Sequence, residues 1–154
     1  MKKIIPAGAA ILALLSTLQA TAVTVTKKNC ISMLSGKPEE KIAALQFIGD
    51  NQFKKAAPQV LAMIDREDRK GDVFHYVLLA NGRLQNTKAT KKIQDIYEGS
   101  SDGAVRFTCV LALLEMQDIS SLRFVRKAHA EETDRHTKEV LAKVIEILDP
   151  PKKK

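Results

Sequence analysis

From Pro38 onward, apolar residues recur at the three- and four-residue spacing of amphipathic helices, and short polar breaks separate these stretches. The alternation of apolar and polar residues that marks a half-buried strand is not convincing anywhere in this region. We therefore expect an all-α fold of three helical pairs followed by a single helix. The predicted helices begin near Pro38 and Ala56, near Asp72 and Asn86, and near Ala104 and Ile119, and the last spans about Arg135 to Leu148.

Glycine, asparagine and proline residues mark the predicted helix ends. Gly49-Asp50 and Asn81-Gly82 are predicted to end the first helices of the first two pairs, and Asp149-Pro150-Pro151 the last helix.

The first helix of the third pair, 104–116, is apolar on nearly all sides from Phe107 onward. A helix of that kind has no face for solvent, so we expect it to be sandwiched between other helices.

An internal repeat with a period of about 33 residues relates the helical pairs. Ile48-Gly49 superimposes on Asn81-Gly82 at this spacing, and Leu45, Leu78 and Leu111 continue it. A period of this size is typical of helical solenoids, in which each hairpin buries its apolar face by stacking on the next. Tetratricopeptide and ankyrin repeats have similar periods, but the chain contains no Trp and no Thr-Pro-Leu-His sequence.

Two segments resemble HEAT repeats. Residues 40–50 read EKIAALQFIGD and are followed by AAPQVL at 56–61, and residues 102–114 read DGAVRFTCVLALL, an acid and a Val-Arg pair before a helix rich in Ala and Leu. The second pair departs from this pattern, since it has His75-Tyr76 in place of small residues and lacks Val-Arg. The resemblance covers most of residues 38–148. It implies a right-handed α-solenoid of about three HEAT-like hairpins with a C-terminal capping helix.

Residues 1–22 have the order of a cleaved export signal. Lys2 and Lys3 precede the uncharged stretch Ile4–Leu18, and Ala20-Thr21-Ala22 places small residues at both recognition positions of a leader peptidase. The apolar stretch is shorter than the roughly 20 residues that span a bilayer, which favours cleavage over a retained anchor. We expect a periplasmic or secreted protein with an N-terminal segment (23–37), the repeats (38–149) and a basic tail (150–154).

The charge of the chain is mildly basic. The sequence has 25 Lys and Arg against 18 Asp and Glu, and loss of Lys2 and Lys3 with the signal would leave 23 against 18, a net charge of +5. This excess is too small to indicate nucleic-acid binding, and export also argues against it. Acidic protein surfaces or anionic envelope polymers fit both facts better.

Two cysteines in an exported chain raise the question of a disulfide. Cys30 precedes the first pair and Cys109 lies in the third. Stacked layers are roughly 8–10 Å apart, whereas the Cα atoms of a disulfide lie within about 7 Å. We therefore expect Cys109 to be a small core residue. Cys30 is either free or paired with another chain, and a bridge to Cys109 would require the N-terminal segment to fold back along the stack.

The sequence contains no recognisable catalytic constellation. His75, His129 and His136 fall on different predicted helices without the spacing of a zinc site. The chain is also similar to bilin lyases, but no pigment-handling constellation is present, and the His-Glu dipeptides of iron-binding HEAT-type hydroxylases are missing. We therefore predict no metal and no cofactor, and we take an enzyme as the weaker hypothesis.

The polar sides of the second helices are basic. The residues concerned are Lys88, Lys91 and Lys92 in the second pair and Arg123, Arg126 and Lys127 in the third, with Lys54 and Lys55 extending the set to the first. In HEAT-type solenoids the second helices line the concave face, so the resemblance implies a basic concave stripe that binds an acidic protein or peptide. Three alternatives remain: lysines that only keep the helices soluble, an enzyme or cofactor-handling protein that uses the same groove, and a structural envelope protein that binds anionic polymer.

Overall fold

The computed structural model describes residues 24–150, and this range contains α-helices and short 3-10 helices but no β-strand. The all-α prediction is confirmed. The predicted export signal lies outside the described residues, as does all but Pro150 of the predicted basic tail. The α-helices are α1 (Cys30–Met33), α2 (Pro38–Asp50), α3 (Ala57–Met63), α4 (Asp72–Arg83), α5 (Thr90–Gly99), α6 (Gly103–Met116), α7 (Leu122–Glu131) and α8 (Arg135–Leu148).

The same unusual turn follows the first helix of each pair. Gln52, Gln85 and Gln117 have positive φ angles of 46°, 51° and 52°, which residues other than glycine rarely adopt. Each turn leads into a short 3-10 helix that runs into the second α-helix, namely Lys54–Ala56, Thr87–Ala89 and Ile119–Ser121. The three glutamines recur at nearly equal intervals along the chain, so the backbone itself carries the repeat.

These turns also define the register of the repeat. Leu45 and Leu78 lie seven residues before their glutamines and are fully buried. The residue seven positions before Gln117 is Val110, which is also fully buried, whereas Leu111 is only partly buried. The prediction that Leu111 continues the spacing is therefore wrong by one residue, because the interval from Gln85 to Gln117 is one residue shorter than the interval from Gln52 to Gln85.

Helix packing follows the order of the chain. The first helices α2, α4 and α6 pack on one another in sequence, and α8 packs on α6. Each second helix packs against the first helix of the following pair, so α3, α5 and α7 contact α4, α6 and α8. Helix α6 is thus covered by α4, α5 and α8, as its apolar sequence predicted. Among the described residues, no helix has the length and apolarity that a bilayer crossing requires.

Two glycines lie at helix crossings. Helix α2 ends at Asp50, as predicted, and α4 continues one residue past Gly82, yet Gly49 and Gly82 are both helical and buried. A Cβ atom on Gly82 would lie 2.9 Å from the Cα atom of Ala112 in α6. A Cβ on Gly49 would lie 3.7 Å from the Cα of Ala80 in α4. Gly82 therefore serves the close crossing of α4 and α6, whereas a Cβ on Gly49 would be in ordinary contact with the backbone of α4, and both glycines lie before the last residue of their helices.

Two ion pairs occupy equivalent positions in the first and third repeats. Lys41 Nζ lies 2.7 Å from a carboxylate oxygen of Glu67, and Arg106 Nη2 lies 2.6 Å from one of Glu132. In both pairs the acid follows the cation by 26 residues and connects a first helix to the segment after its second helix. The second repeat has the fully buried Phe74 at the position of the cation. The first and third repeats therefore share this connection, and the second replaces it with an apolar contact.

The segment before the repeats also belongs to the core. Helix α1 packs on α2, and Cys30 and Leu34 are buried. Cys109 is fully buried in α6, so the prediction that it is a small core residue is confirmed. The two thiols are not joined to each other.

Candidate functional site

The basic residues predicted to bind a partner lie on α5, on α7 and on the 3-10 helix before α5. Lys88 lies in that 3-10 helix, and the others lie on the two α-helices. On α5 the opposite face carries Ile93 and Ile96, both buried in the core. Lys92 is half-buried and the rest are exposed, namely Lys88, Lys91, Arg123, Arg126 and Lys127. The amphipathic pattern thus places all six side chains on the solvent side of their elements.

Helices α5 and α7 border a groove of about 330 Å³. It brings together three of the six residues, Lys91, Arg123 and Lys127, and its other lining residues are Gln94, Glu98, Ser120 and Phe124. Lys92 lies instead in a smaller cleft of about 210 Å³ that also contains Asp65. The predicted set is therefore divided, and the groove between α5 and α7 holds its densest part.

Acidic side chains are interleaved with the basic ones. Lys92 Nζ lies 2.8 Å from both carboxylate oxygens of Asp65, and Lys127 Nζ lies 3.2 Å from Glu98. Two further ion pairs join Lys91 to Asp95 within α5 and Arg126 on α7 to Asp149, which follows α8. The face therefore has mixed charge, which differs from the basic stripe predicted from the sequence.

These ion pairs are exposed and individually weak. The side chains of Lys127 and Glu98 are 60% and 48% exposed, and pairs of this kind stabilise a protein by only about 0–1 kcal/mol. An incoming carboxylate can therefore compete with Glu98 for Lys127. Of the six predicted residues, Lys88 and Arg123 form no salt bridge with any acid in the range 24–150. Within the groove, Arg123 is thus the cation that is free for a ligand.

A buried polar network adjoins the groove through the contact of Tyr97 with Phe124. Glu132 is only 5% exposed, and its Oε2 atom accepts hydrogen bonds from the Tyr97 hydroxyl and from Arg106, both at 2.6 Å. The guanidinium of Arg106 also stacks over the Tyr97 ring, 4.6 Å from its centre. The ring of Phe124 meets Tyr97 edge-on, with ring centres 5.6 Å apart. The network therefore connects α5, α6 and the end of α7, and it holds Phe124 in place.

The protonation states of this network are fixed. Burial alone would raise the pKa of Glu132, but the hydrogen bond from Tyr97, the backbone N–H groups of Thr133 and Asp134 and the charge of Arg106 outweigh it, so the pKa lies below the usual value. Burial, and then the hydrogen bond to Glu132, raises the pKa of Tyr97. The pKa of Glu132 is thus lowered and that of Tyr97 is raised, so both pKa values lie farther from neutral pH than usual. Neither group is therefore poised for proton transfer at pH 7, and the network serves to position helices.

Reactive groups elsewhere are buried or dispersed. Burial raises the pKa of Cys109 to about 12, against a small opposing effect of Arg69, and a thiol in that state is a poor nucleophile. His75 Nδ1 lies 2.8 Å from the hydroxyl of Thr108, which connects α4 to α6. Between residues 24 and 150, no three His, Cys, Asp or Glu side chains converge in a way that could hold a metal ion.

A second groove, of about 640 Å³, lies between the C-terminal ends of α6 and α8. It is lined in part by Leu114, Lys143 and Ile147 and contains none of the six predicted basic residues. The groove between α5 and α7 combines three of them with a supported aromatic ring, an amide and a hydroxyl, and we take it as the candidate site. No protein-family model, curated protein or solved structure matches this chain.

Proposed function

We propose that this protein is an exported, HEAT-like α-solenoid that acts as a scaffold or adaptor and binds a protein or peptide on the face formed by its second helices. The groove between α5 and α7 is the observation that carries the proposal. It places cationic, aromatic and amide groups from two successive repeats in one concavity. A binding surface of this kind is what neighbouring solenoid repeats produce.

The packing of the helices supports the solenoid. Each repeat has the same turn and 3-10 helix, and each contacts the next through equivalent helices. Helix α8 has the features of a C-terminal cap. When α6 and α8 are aligned on their first residues, Ala142 falls at the position of the buried Val110, but Ala142 is exposed. The neighbouring Lys143, Glu146 and Ile147 are also exposed, so this face is polar apart from one isoleucine, and a mainly polar outer face is what a terminal repeat needs.

A binding role also agrees with the electrostatics. Three cations and one acid, Glu98, border the groove, so its net charge is positive and suits an acidic partner. In the buried polar network next to the groove, the carboxylate of Glu132 accepts hydrogen bonds from Tyr97, Arg106 and the backbone N–H groups of Thr133 and Asp134. The order of residues 1–22 supports export to the periplasm or the medium.

Site-specific photo-crosslinking in the native host tests the proposal. A benzophenone amino acid is placed at Gln94 or Glu98 in the groove and, as a control, at the exposed Gln46 on the first helix α2. We expect the two groove positions to give the same adduct, identified by mass spectrometry, and Gln46 to give none. Absence of adducts at both groove positions, or equal adducts at Gln46, would contradict the proposal.

A further inference from the structure

The cations that border the groove between α5 and α7 differ in their availability. Lys91 is paired with Asp95 one turn away, and Lys127 with Glu98. Arg123 forms no salt bridge with an acid in residues 24–150 and is exposed. A guanidinium presents a planar fork of donors that matches the two oxygens of a carboxylate. Arg123 is therefore the anchor that the groove offers to an acidic ligand.

Lys127 is a second cation of the groove that can bind a ligand, provided that it gives up its ion pair with Glu98. The 3.2 Å separation of this pair and the exposure of both side chains make it easy to exchange. Glu98 also opposes the entry of a ligand that carries many negative charges at close spacing. The arrangement thus favours a ligand with one or two carboxylates.

The groove also has an apolar and a hydrogen-bonding part. Phe124 is half-buried, and its edge-on contact with Tyr97 holds the ring beside Arg123. Gln94 and Ser120 provide groups that can pair with a peptide backbone. The volume of about 330 Å³ is at the lower end of the roughly 300–1,000 Å³ found for small-ligand sites. A uniformly anionic polymer would use neither the ring nor the amide, whereas a short peptide uses both.

We infer that this groove binds a short peptide segment in which an acidic residue adjoins an apolar one, with the carboxylate on Arg123 and the apolar side chain on Phe124. The inference rests on the proposed function and specifies the chemistry of the partner. Lys127 and Lys91 then act as secondary contacts for a second carboxylate. Gln94 and Ser120 face the peptide backbone.

Fluorescence anisotropy with defined peptides tests the inference on the purified protein. The probe, called the Glu-Leu peptide, is a fluorescein-labelled hexapeptide with the sequence Ser-Glu-Leu-Ser-Glu-Leu and an amidated C-terminus, so that it carries two side-chain carboxylates. One comparison peptide has Gln for every Glu, and a second has Ser for every Leu. We expect the Glu-Leu peptide to bind at least tenfold more tightly than either. Arg123→Gln should weaken its binding at least tenfold, and Arg135→Gln, an exposed arginine on α8 outside the groove, should leave it unchanged.

Several results would overturn the inference. The Gln peptide could bind as tightly as the Glu peptide, or Arg135→Gln could weaken binding as much as Arg123→Gln. Binding of heparin as tight as that of the Glu-Leu peptide, with the same loss in Arg123→Gln, would assign the groove to an anionic polymer. If the peptides do not bind while Gln94 and Glu98 still crosslink a partner, the inference fails and the proposed function stands.

Discussion

A Cβ atom added to Gly82 would lie 2.6 Å from the carbonyl oxygen of Ala112, so α4 and α6 cross at a separation that only glycine allows. In the third repeat, Leu114 occupies the position of Gly82 relative to the glutamine turn. Leu114 lines the wide groove between α6 and α8. At this repeat position, a glycine thus lies at the close crossing of α4 and α6, and a leucine borders the groove between α6 and α8.

Gly82→Ala should destabilise the protein by about 2–3 kcal/mol, because the added methyl meets backbone atoms that cannot rotate away. The measurement is urea unfolding followed by circular dichroism. Gly99→Ala is the control, since a Cβ at Gly99 meets no atom within 4 Å, and it should change the free energy of unfolding by at most about 1 kcal/mol. Equal stability of the two variants would contradict the close crossing.

The buried carboxylate of Glu132 should make stability depend on acid pH. Its pKa is lower in the folded protein than in the unfolded chain, so its contribution is fully present above the unfolded value of about 4.3 and is lost as the pH falls through the folded value. Asp118 and Asp134 act in the same direction, because their pKa values are also lowered. Urea unfolding at a series of pH values between 7 and 3 should show this loss.

Glu132→Gln should lower the stability at pH 7 by about 2 kcal/mol, because it removes the charge that Arg106 faces in a buried position. The variant should also lose less stability than the wild type as the pH falls. Glu139→Gln removes one acid from an exposed pair on α8 and serves as the control, with an expected change within about 0.5 kcal/mol. A pH profile of Glu132→Gln identical to that of the wild type would show that Glu132 does not carry the effect.

The helix pattern could be predicted from the sequence because Gly, Pro and apolar spacing act locally. The break at Gln117-Asp118 could also be predicted, but the positive φ angles of Gln52, Gln85 and Gln117 could not, since glutamine has no marked preference for that conformation. When the repeats are aligned by their apolar pattern alone, Leu78 is aligned with Leu111. The correct equivalent is its neighbour Val110, but both residues are apolar and either could be the buried one.

The ion pairs of the candidate site could be predicted from the sequence only in part. Asp95 is four residues from Lys91, and a helical face brings such residues together, so this pair is visible in the sequence. Asp65 and Glu98 lie 27 and 29 residues from the lysines that they contact. These distant partners become neighbours only when repeats stack. Basic residues can therefore be located from the sequence, whereas their neutralisation depends on the packing between repeats.

Cys109 should react slowly with thiol reagents in the native protein, since it is fully buried and burial raises its pKa to about 12. Iodoacetamide labelling of a Cys30→Ala variant, followed by intact mass, isolates this thiol. Labelling in concentrated guanidinium provides the control for complete reaction. Rapid labelling under native conditions would contradict burial in α6.

Cys109→Ser should lower the free energy of unfolding by about 1–3 kcal/mol, because a hydroxyl would be buried with only local backbone carbonyls as partners.

Export should leave a mature chain that begins at or near Val23. The measurement is mass spectrometry of the protein isolated from its native host after cell fractionation. Replacement of both Ala20 and Ala22 by bulky Leu should block cleavage and give a precursor that is heavier by the mass of the signal. Intact protein from Met1 to Lys154 in the cytosol would end this prediction.

Charge reversal in the groove should slow the binding of the crosslinked partner. We expect Arg123→Glu with Lys127→Glu to reduce the association rate constant by more than tenfold at low salt, because fixed charges steer an acidic partner during encounter. Circular dichroism first confirms that the variant folds, which is expected because both side chains are exposed. Surface plasmon resonance at several ionic strengths then measures the rate.

The matched control reverses the same amount of charge elsewhere, with Arg135→Glu and Lys143→Glu on α8, both exposed and outside the groove. Charges farther from the interface than the Debye length of about 8 Å at physiological ionic strength are largely screened, so the control should approach the wild-type rate as salt rises from low to physiological concentration. The groove variant should remain slower at physiological salt, because the proposed contact between Arg123 and a carboxylate of the partner would be much shorter than the Debye length. Equal losses in both variants, or a wild-type rate that does not depend on salt, would mean that the basic residues of α5 and α7 only keep these helices soluble.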